Sequence, residues 1–246
     1  MRKLKACLMA IGSAALLQPF VGQANELQSA VERLTPEMLQ DQIESITELP
    51  ITGVFAAQAQ GEIYFISSDG RFVFSGRAHD LWYDQPLNTM ANIDASATML
   101  DLTRMGVDSA ELNTLQVGAG PITHTVFIDP LCESCIDYIG QSVDLVDDGH
   151  AFNFVLVPAF GERSVELAGH FACREGVSDE EAFAAVVEQR IGDLPRQEEC
   201  DLSPYLSSIT LAEMIKVDGV PFTATHDGHV FRGLPENLVD SLEGRE

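Results

Sequence analysis

Apolar positions along the chain fall into three successive rhythms. From 26 to 47 they recur every three to four residues, at Leu27, Val31, Leu34, Met38, Ile43 and Ile46. That spacing predicts helix, with Pro36 near a helix start. After Pro50 the period drops to two, and "TGVFAAQAQGEIYFISSDGRFVFSGRAHDLWYD" reads as short antiparallel strands. Asp69-Gly70, between "EIYFIS" and "RFVFSG", marks a hairpin turn. The stretch "TMANIDASATMLDLTRM" (89–105) predicts a helix with one thin apolar face, and "GVDSAELNTLQVGAGP" reads as a linker out of it.

The third rhythm begins at 122, where buried runs alternate with helical periods. "ITHTVFID" and "AFNFVLVP" (151–158) predict buried strands. Helices are expected over 133–147, 162–174, 178–190 and 202–219, the last capped by Ser203 ahead of Pro204. "PFTATHDGHVFRG" predicts a hairpin turning at Asp227-Gly228, and "PENLVDSLE" a closing helix. Helices interleaved with buried strands give a layered α/β arrangement for this half.

The first 24 residues, "MRKLKACLMAIGSAALLQPFVGQA", follow none of these rhythms. Arg2, Lys3 and Lys5 precede an apolar run from Ala6 to Leu17, and small residues follow at Gly22 and Ala24. This is the pattern of a secretory signal peptide cleaved near Ala24. The run is too short to span a bilayer, so no membrane insertion is expected. Export implies an oxidising compartment.

Charge narrows the partners. Acidic residues outnumber basic ones 38 to 14, a net charge of −24, which argues against nucleic acid and anionic membrane surfaces. The composition, 46% hydrophobic and 21% charged, is that of an ordinary globular protein.

Cysteine supplies the candidate chemistry. Of five cysteines, Cys7 leaves with the signal peptide. The four that remain, Cys132, Cys135, Cys173 and Cys200, allow three pairings and fall into a tight pair and a wide pair. In "HTVFIDPLCESCIDYIG", Cys132 falls where a buried strand meets a helix N-terminus. Unpaired backbone N–H groups and the helix dipole there stabilise a thiolate. Cys135 lies one turn on, expected to be the more buried of the two and within reach to resolve a mixed disulfide at Cys132. A zinc site would need two further ligands in good geometry, and Cys173 and Cys200 form no second knuckle. A purely structural 132–135 bridge would close almost no loop. Compartment, position and spacing agree on a redox dithiol, with no metal and no cofactor. Cys173 and Cys200 flank a helical segment, and a bridge there would stabilise the fold by roughly 3–4 kcal/mol. A structural disulfide is the favoured reading, and a second redox couple the alternative. The histidines 79, 124, 150, 170, 226 and 229 are scattered. His124 could lie near Cys135, but an ordinary edge histidine is the reading preferred. Trp82 and Tyr83 read as local core or dimer packing.

Cys-x-x-Cys at a strand–helix junction, with Val220-Pro221 before a terminal hairpin and helix, resembles a thioredoxin fold. More closely, the chain is similar to the DsbC/DsbG family of periplasmic disulfide isomerases over nearly its whole mature length. "ITGVFAAQAQGEIYFISSDGRFVFSGRAHDL" resembles that family's N-terminal dimerisation domain. "HTVFIDPLCESCIDY" resembles its active-site strand and helix start, and "GVPFTATHDGHVFRG" its cis-proline loop and hairpin. The resemblance implies an α+β protein in four parts. These are a signal peptide (1–24), a cystatin-like dimerisation domain (25–86), a linker helix (87–120) and a catalytic thioredoxin fold with a helical insertion (121–246). It implies a V-shaped homodimer with facing active sites and an apolar cleft for misfolded disulfide-bonded proteins. Cys132 would be the nucleophile and Cys135 the resolving cysteine. Cys173 and Cys200 would be the structural pair. Pro221 would be cis, with the Val220 backbone pairing with substrate as an added strand. A membrane thiol reductant of the DsbD type would keep the dithiol reduced.

Two positions depart from the family. Its usual dipeptide has a small residue or proline, then tyrosine, where this chain has Glu133-Ser134. These two are the candidate pKa-tuning residues: an acidic side chain beside Cys132 disfavours the thiolate and makes a more reducing couple. Val220 stands where the isomerases commonly carry threonine and their monomeric oxidase relatives valine. The function expected is a periplasmic disulfide isomerase and reductase. The alternatives are a dithiol oxidase that donates disulfides and a non-enzymatic chaperone or assembly factor.

Overall fold

A computed structural model of the chain describes residues 42–49 and 53–245. The expected signal peptide, its cleavage near Ala24 and the expected helix as far as residue 41 lie outside the described residues.

Where the helical spacing was expected to run on to residue 47, the chain is extended. Strand β1 (Ile43–Glu48) alternates half-buried and exposed positions. Ile43 and Ile46 fit a helical spacing, but the β-branched run Ile43, Ile46, Thr47 favours a pleated surface, and β1 hydrogen-bonds to β2 (Val54–Ala59). Strands β3 (Glu62–Ser67) and β4 (Val73–Ser75) complete a four-stranded sheet in sequence order. The β2–β3 hairpin turns on Gln60 and Gly61, both with positive φ (55° and 77°). Two such residues make the primed turn that fits strand twist. The β3–β4 connection turns at Gly70 (φ 68°), where the Asp69 carboxylate accepts from the Arg71 N–H at 3.0 Å. Two-residue strands β5 (His79–Asp80) and β6 (Gln85–Pro86) form a separate pair.

Helix α1 (Met90–Ala97), capped by the Thr89 hydroxyl, puts Ile93 into a small core with Leu49, Ala56, Phe65 and Leu87. It has eight residues and ends at Thr98, so the expected linker helix is short. Leu100 and Leu112 beyond it are buried in one cluster with Phe127, Val155 and Phe222, which holds this segment in turns. The connection reads into a strand: β7 (Thr114–Val117) buries Leu115 and Val117 on alternate positions.

That strand is the edge of a five-stranded sheet ordered β11-β10-β8-β9-β7. Strands β8 (Ile122–Ile128) and β9 (His150–Leu156) are parallel, joined through helix α2 (Glu133–Val143). β7, β10 (Phe222–Ala224) and β11 (Val230–Arg232) run antiparallel to their neighbours. This is the thioredoxin fold, so the chain is α+β as expected, and its sheet begins at Thr114, before the expected boundary at 121. β9 is buried at all seven positions because helices cover both faces. On one face Val126, Ile128, Phe152 and Phe154 pack with Tyr138 and Ile139 of α2. Phe171 of α3 (Glu162–Ala172), Val186 of α4 (Asp179–Val187) and Leu242 of α6 (Leu238–Leu242) join the same cluster. On the other face Phe127, Val155 and Phe222 pack with Leu211 of α5 (Ser203–Met214).

Ser203 is the first residue of α5 rather than its cap. Leu202 holds the cap position without a side-chain bond, and the Asp201 carboxylate just ahead of it accepts from both the Ser203 N–H at 2.8 Å and the Ser203 hydroxyl at 2.6 Å. Residues 98–100 lie along the terminal hairpin: Val230 N–H donates to the Thr98 carbonyl at 2.9 Å and Leu100 N–H to that of Gly228 at 2.6 Å.

Candidate active site

The site is assembled where β8 runs out. Ile128 is its last residue, and Asp129 and Pro130 turn the chain toward α2. Asp129 is fully buried. Among the described residues its carboxylate has no cationic partner, and it accepts four hydrogen bonds. The donors are the Leu131 N–H at 2.7 Å, the Ser164 hydroxyl at 3.0 Å, the Phe160 N–H at 3.2 Å and the Ala159 N–H. Four donors satisfy the acceptor capacity of a buried carboxyl group. They tie the loop before Cys132, the loop after β9 and the first turn of α3 to one side chain. Reading the sequence for chemistry passed over Asp129. The available signal was an acid closing the otherwise apolar run "VFID".

Cys132 is the N-cap of α2, its sulfur accepting from the Cys135 N–H at 3.2 Å. Cys132 and Cys135 form a disulfide. Both are buried, Cys132 at 4% exposure and Cys135 at 0%, so the expected difference in exposure is slight. The reason is that Leu131 and Val220 pack against the cluster holding both sulfurs. The Val220–Pro221 bond is cis. The Val220 carbonyl oxygen lies 3.7 Å from Cys132 Sγ. Behind the disulfide, Tyr138 of α2 and Thr223 of β10 share a buried hydrogen bond of 3.0 Å. Burial pushes the Tyr138 hydroxyl well above its ordinary range, and the bond to Thr223 only partly offsets that. The two elements that flank Cys132 are thus joined through the core. Glu133 and Ser134 are both exposed, and the Ser134 hydroxyl lies 3.3 Å from Cys132 Sγ.

His124 is not beside Cys135. The parallel register sets Ile122 against His150 and His124 against Phe152, away from α2's N-terminus. His124 is wholly buried, stacked on Phe152 with ring centroids 5.2 Å apart. Its Nε2 is 2.9 Å from His150 Nδ1, and its Nδ1 accepts from the His226 N–H at 3.3 Å. An acceptor Nδ1 leaves Nε2 as the donor, so this contact uses the neutral ring. Burial, then the charges of His150 and His226, lower the His124 pKa from 6.5 to about 3. Residues far apart in sequence make this cluster, and nothing in their spacing announced it.

Cys173 and Cys200 form the second disulfide, at the C-cap of α3 and shortly before α5. Among the described residues no group of three or more histidine, cysteine or acidic side chains is placed to hold a metal ion. Nor is any helix among them long and apolar enough to cross a membrane.

Residues 22–91 match the family described as the disulfide bond isomerase protein N-terminal domain. A search of curated protein sequences returns no match. Among solved structures, a disulfide interchange protein from Neisseria gonorrhoeae is 18% identical, with a TM-score of 0.45 over 56% of this chain and 98% of its own. Proteus mirabilis ScsC in a transitional conformation is 14% identical, with a TM-score of 0.44 over 63% of this chain and 82% of its own. The thiol-disulfide exchange protein alpha-DsbA2 from Wolbachia pipientis is 15% identical, with a TM-score of 0.40 over 59% of this chain and 94% of its own. These are distant likenesses and bear on no activity.

Proposed function

We propose, from the premise that this chain is DsbC-like through its N-terminal domain at residues 22–91, that it is a periplasmic protein disulfide isomerase and reductase. One observation carries the reading. The Cys132–Cys135 pair caps a helix N-terminus, with the Val220 carbonyl 3.7 Å from Cys132 Sγ.

The exchange proceeds from the reduced pair. The Cys132 thiolate attacks one sulfur of a wrong disulfide in a misfolded client, forming a mixed disulfide. The client's other sulfur leaves as a thiolate. In isomerisation, a second client thiolate attacks the Cys132-bound client sulfur and releases Cys132 unchanged. In reduction, Cys135 attacks Cys132 Sγ, the client sulfur leaves as a thiolate that takes up a proton, and the pair ends oxidised. Two electrons have then passed to the client, and a membrane dithiol reductant returns them. In this reading the backbone of Val220 pairs with an extended client segment. The Cys173–Cys200 bridge holds the helical insertion and takes no part in exchange. In this reading the active form is a homodimer joined through the N-terminal domain. Ile46, Phe72 and Phe74 on or beside its sheet are half exposed or more, as a partnered surface would be.

The test is refolding of scrambled ribonuclease in a glutathione buffer. The chain is expected to raise the recovery of activity, Cys132→Ser to abolish that gain, and Cys135→Ala to accumulate client mixed disulfides. Recovery no faster than in glutathione alone would overturn the reading. Val220 before Pro221 favours a second reading, a dithiol oxidase. A pair held oxidised in the cell would establish that instead.

A further inference from the structure

Ala224 is the last residue of β10 paired with β8, and the tip of the terminal hairpin projects beyond it. Residues 225–229 hold themselves together. Thr225 N–H donates to the His229 carbonyl at 2.8 Å, and Gly228 N–H to that of Thr225 at 3.0 Å. The Thr225 hydroxyl donates to the Asp227 carboxylate at 2.5 Å. Tied to itself in this way, the tip can move as one piece. Its outermost tie to the sheet is the His226 N–H, which donates to His124 Nδ1 at 3.3 Å. Two further contacts join the tip to the chain that leads out of the N-terminal domain. Leu100 N–H donates to the Gly228 carbonyl at 2.6 Å. The Tyr83 hydroxyl is buried so close to Gly228 that a Cβ there would stand 3.0 Å from it, and it has no hydrogen-bond partner among the described residues.

The tie at His124 requires a neutral ring. Its Nδ1 accepts from His226, and its Nε2 donates to His150 Nδ1 at 2.9 Å. A proton on Nδ1 removes the acceptor and puts charge into a buried place against Phe152. His150 faces His124 from β9, and His226 and Asp227 face it from the tip. Burial and the two imidazoles oppose the charge, and Asp227 favours it. On the tip's other side His229 Nε2 is 3.8 Å from the Asp227 carboxylate, and Asp80, Asp101, Arg104 and Asp227 lie around Tyr83. With the tip displaced, His124 meets water. Held, it titrates at about 3, and released, at its ordinary 6.5. The tip is therefore held in full above 6.5 and loosened as pH falls toward 3.

We infer that residues 225–229 form an acid-released clasp: a proton on His124 Nδ1 breaks the tip's tie to the sheet, and with it the tip's hold on Leu100 and Tyr83. The chain entering the catalytic domain is fixed at neutral pH and freed in acid, while the sheet behind it stays folded. The clasp is independent of the exchange chemistry proposed above.

Hydrogen exchange on the full chain tests it. One proton gained on opening raises the open fraction by up to about tenfold per pH unit below about 6.5. From about pH 7 to about pH 5 the His226 and Leu100 amides are expected to exchange about twentyfold faster, after correction for the intrinsic rate. The Phe152 and Phe154 amides of β9 are expected to stay far slower, and dilute urea to speed them and not the tip. His124→Asn, which offers an acceptor that does not titrate, is expected to remove the acid response. Tip amides whose corrected exchange does not change with pH would overturn the inference. So would tip amides that keep pace with β9 at every pH and urea concentration, since the tip would then open only with the whole fold. A His124→Asn protein that keeps the full acid response would place the switch on another group and overturn it as well. The first two outcomes are read on the natural sequence and need no variant to fold.

Discussion

A single buried carboxylate anchors the turn that carries the redox pair. Asp129 accepts from three backbone N–H groups and one hydroxyl. Asp129→Ala leaves all four donors without an acceptor. Each buried unsatisfied donor costs about 1–3 kcal/mol, so the variant is expected to lose at least about 3 kcal/mol, read from the urea midpoint. His124 carries a second residue-scale expectation. Its folded pKa of about 3 lies below its ordinary 6.5, so the unfolded chain binds a proton that the folded chain refuses. The stability this represents is complete above 6.5 and is lost as pH falls toward 3. The slope approaches about 1.4 kcal/mol per pH unit within that window. Besides Phe152, the groups facing His124 are His150, His226 and Asp227. Thermal melts across the window should show the slope, and His124→Phe should flatten it. The cysteines and Val220-Pro221 were legible in the sequence because their chemistry needs fixed local spacing. The histidine cluster was not, because strand register brings His124 to His150 and the terminal hairpin delivers His226.

The elements were legible where one period dominates a long enough run. β8, β9 and the helices from α2 onward fall where apolar runs and helical spacings put them. The failures are short or ambiguous. In β1, Ile43 and Ile46 serve a helical spacing as well as a strand, and pairing with β2 decides. β7 offers four residues, "TLQV", just before a Gly-Ala-Gly-Pro break, and its partner β9 lies more than thirty positions downstream. A prediction belongs to the link between elements. Tyr138 ties α2 to β10 through Thr223, both wholly buried. Tyr138→Phe keeps the ring and removes the hydroxyl, leaving Thr223 without that partner. It is expected to lose about 1–2 kcal/mol in denaturant unfolding.

The whole molecule carries its acidity as a surface property. Most described basic side chains are engaged with acids, such as Arg163 with Glu166 and Arg232 with Asp218. With 38 acids against 14 bases, the surplus repels itself. Raising ionic strength to about 0.15 M shortens the reach of that repulsion to roughly 8 Å, so the melting temperature is expected to rise with added salt. β7 has a practical consequence at this scale. A catalytic fragment cut at the Gly-Ala-Gly-Pro break would look natural from the sequence, yet it would strip β9 of its outer neighbour. The most apolar strand of the sheet would then become an open border, ready to recruit another copy of itself. Such a fragment should precipitate or form ladders of paired chains. One begun ahead of Leu112 keeps its border closed and should stay monodisperse.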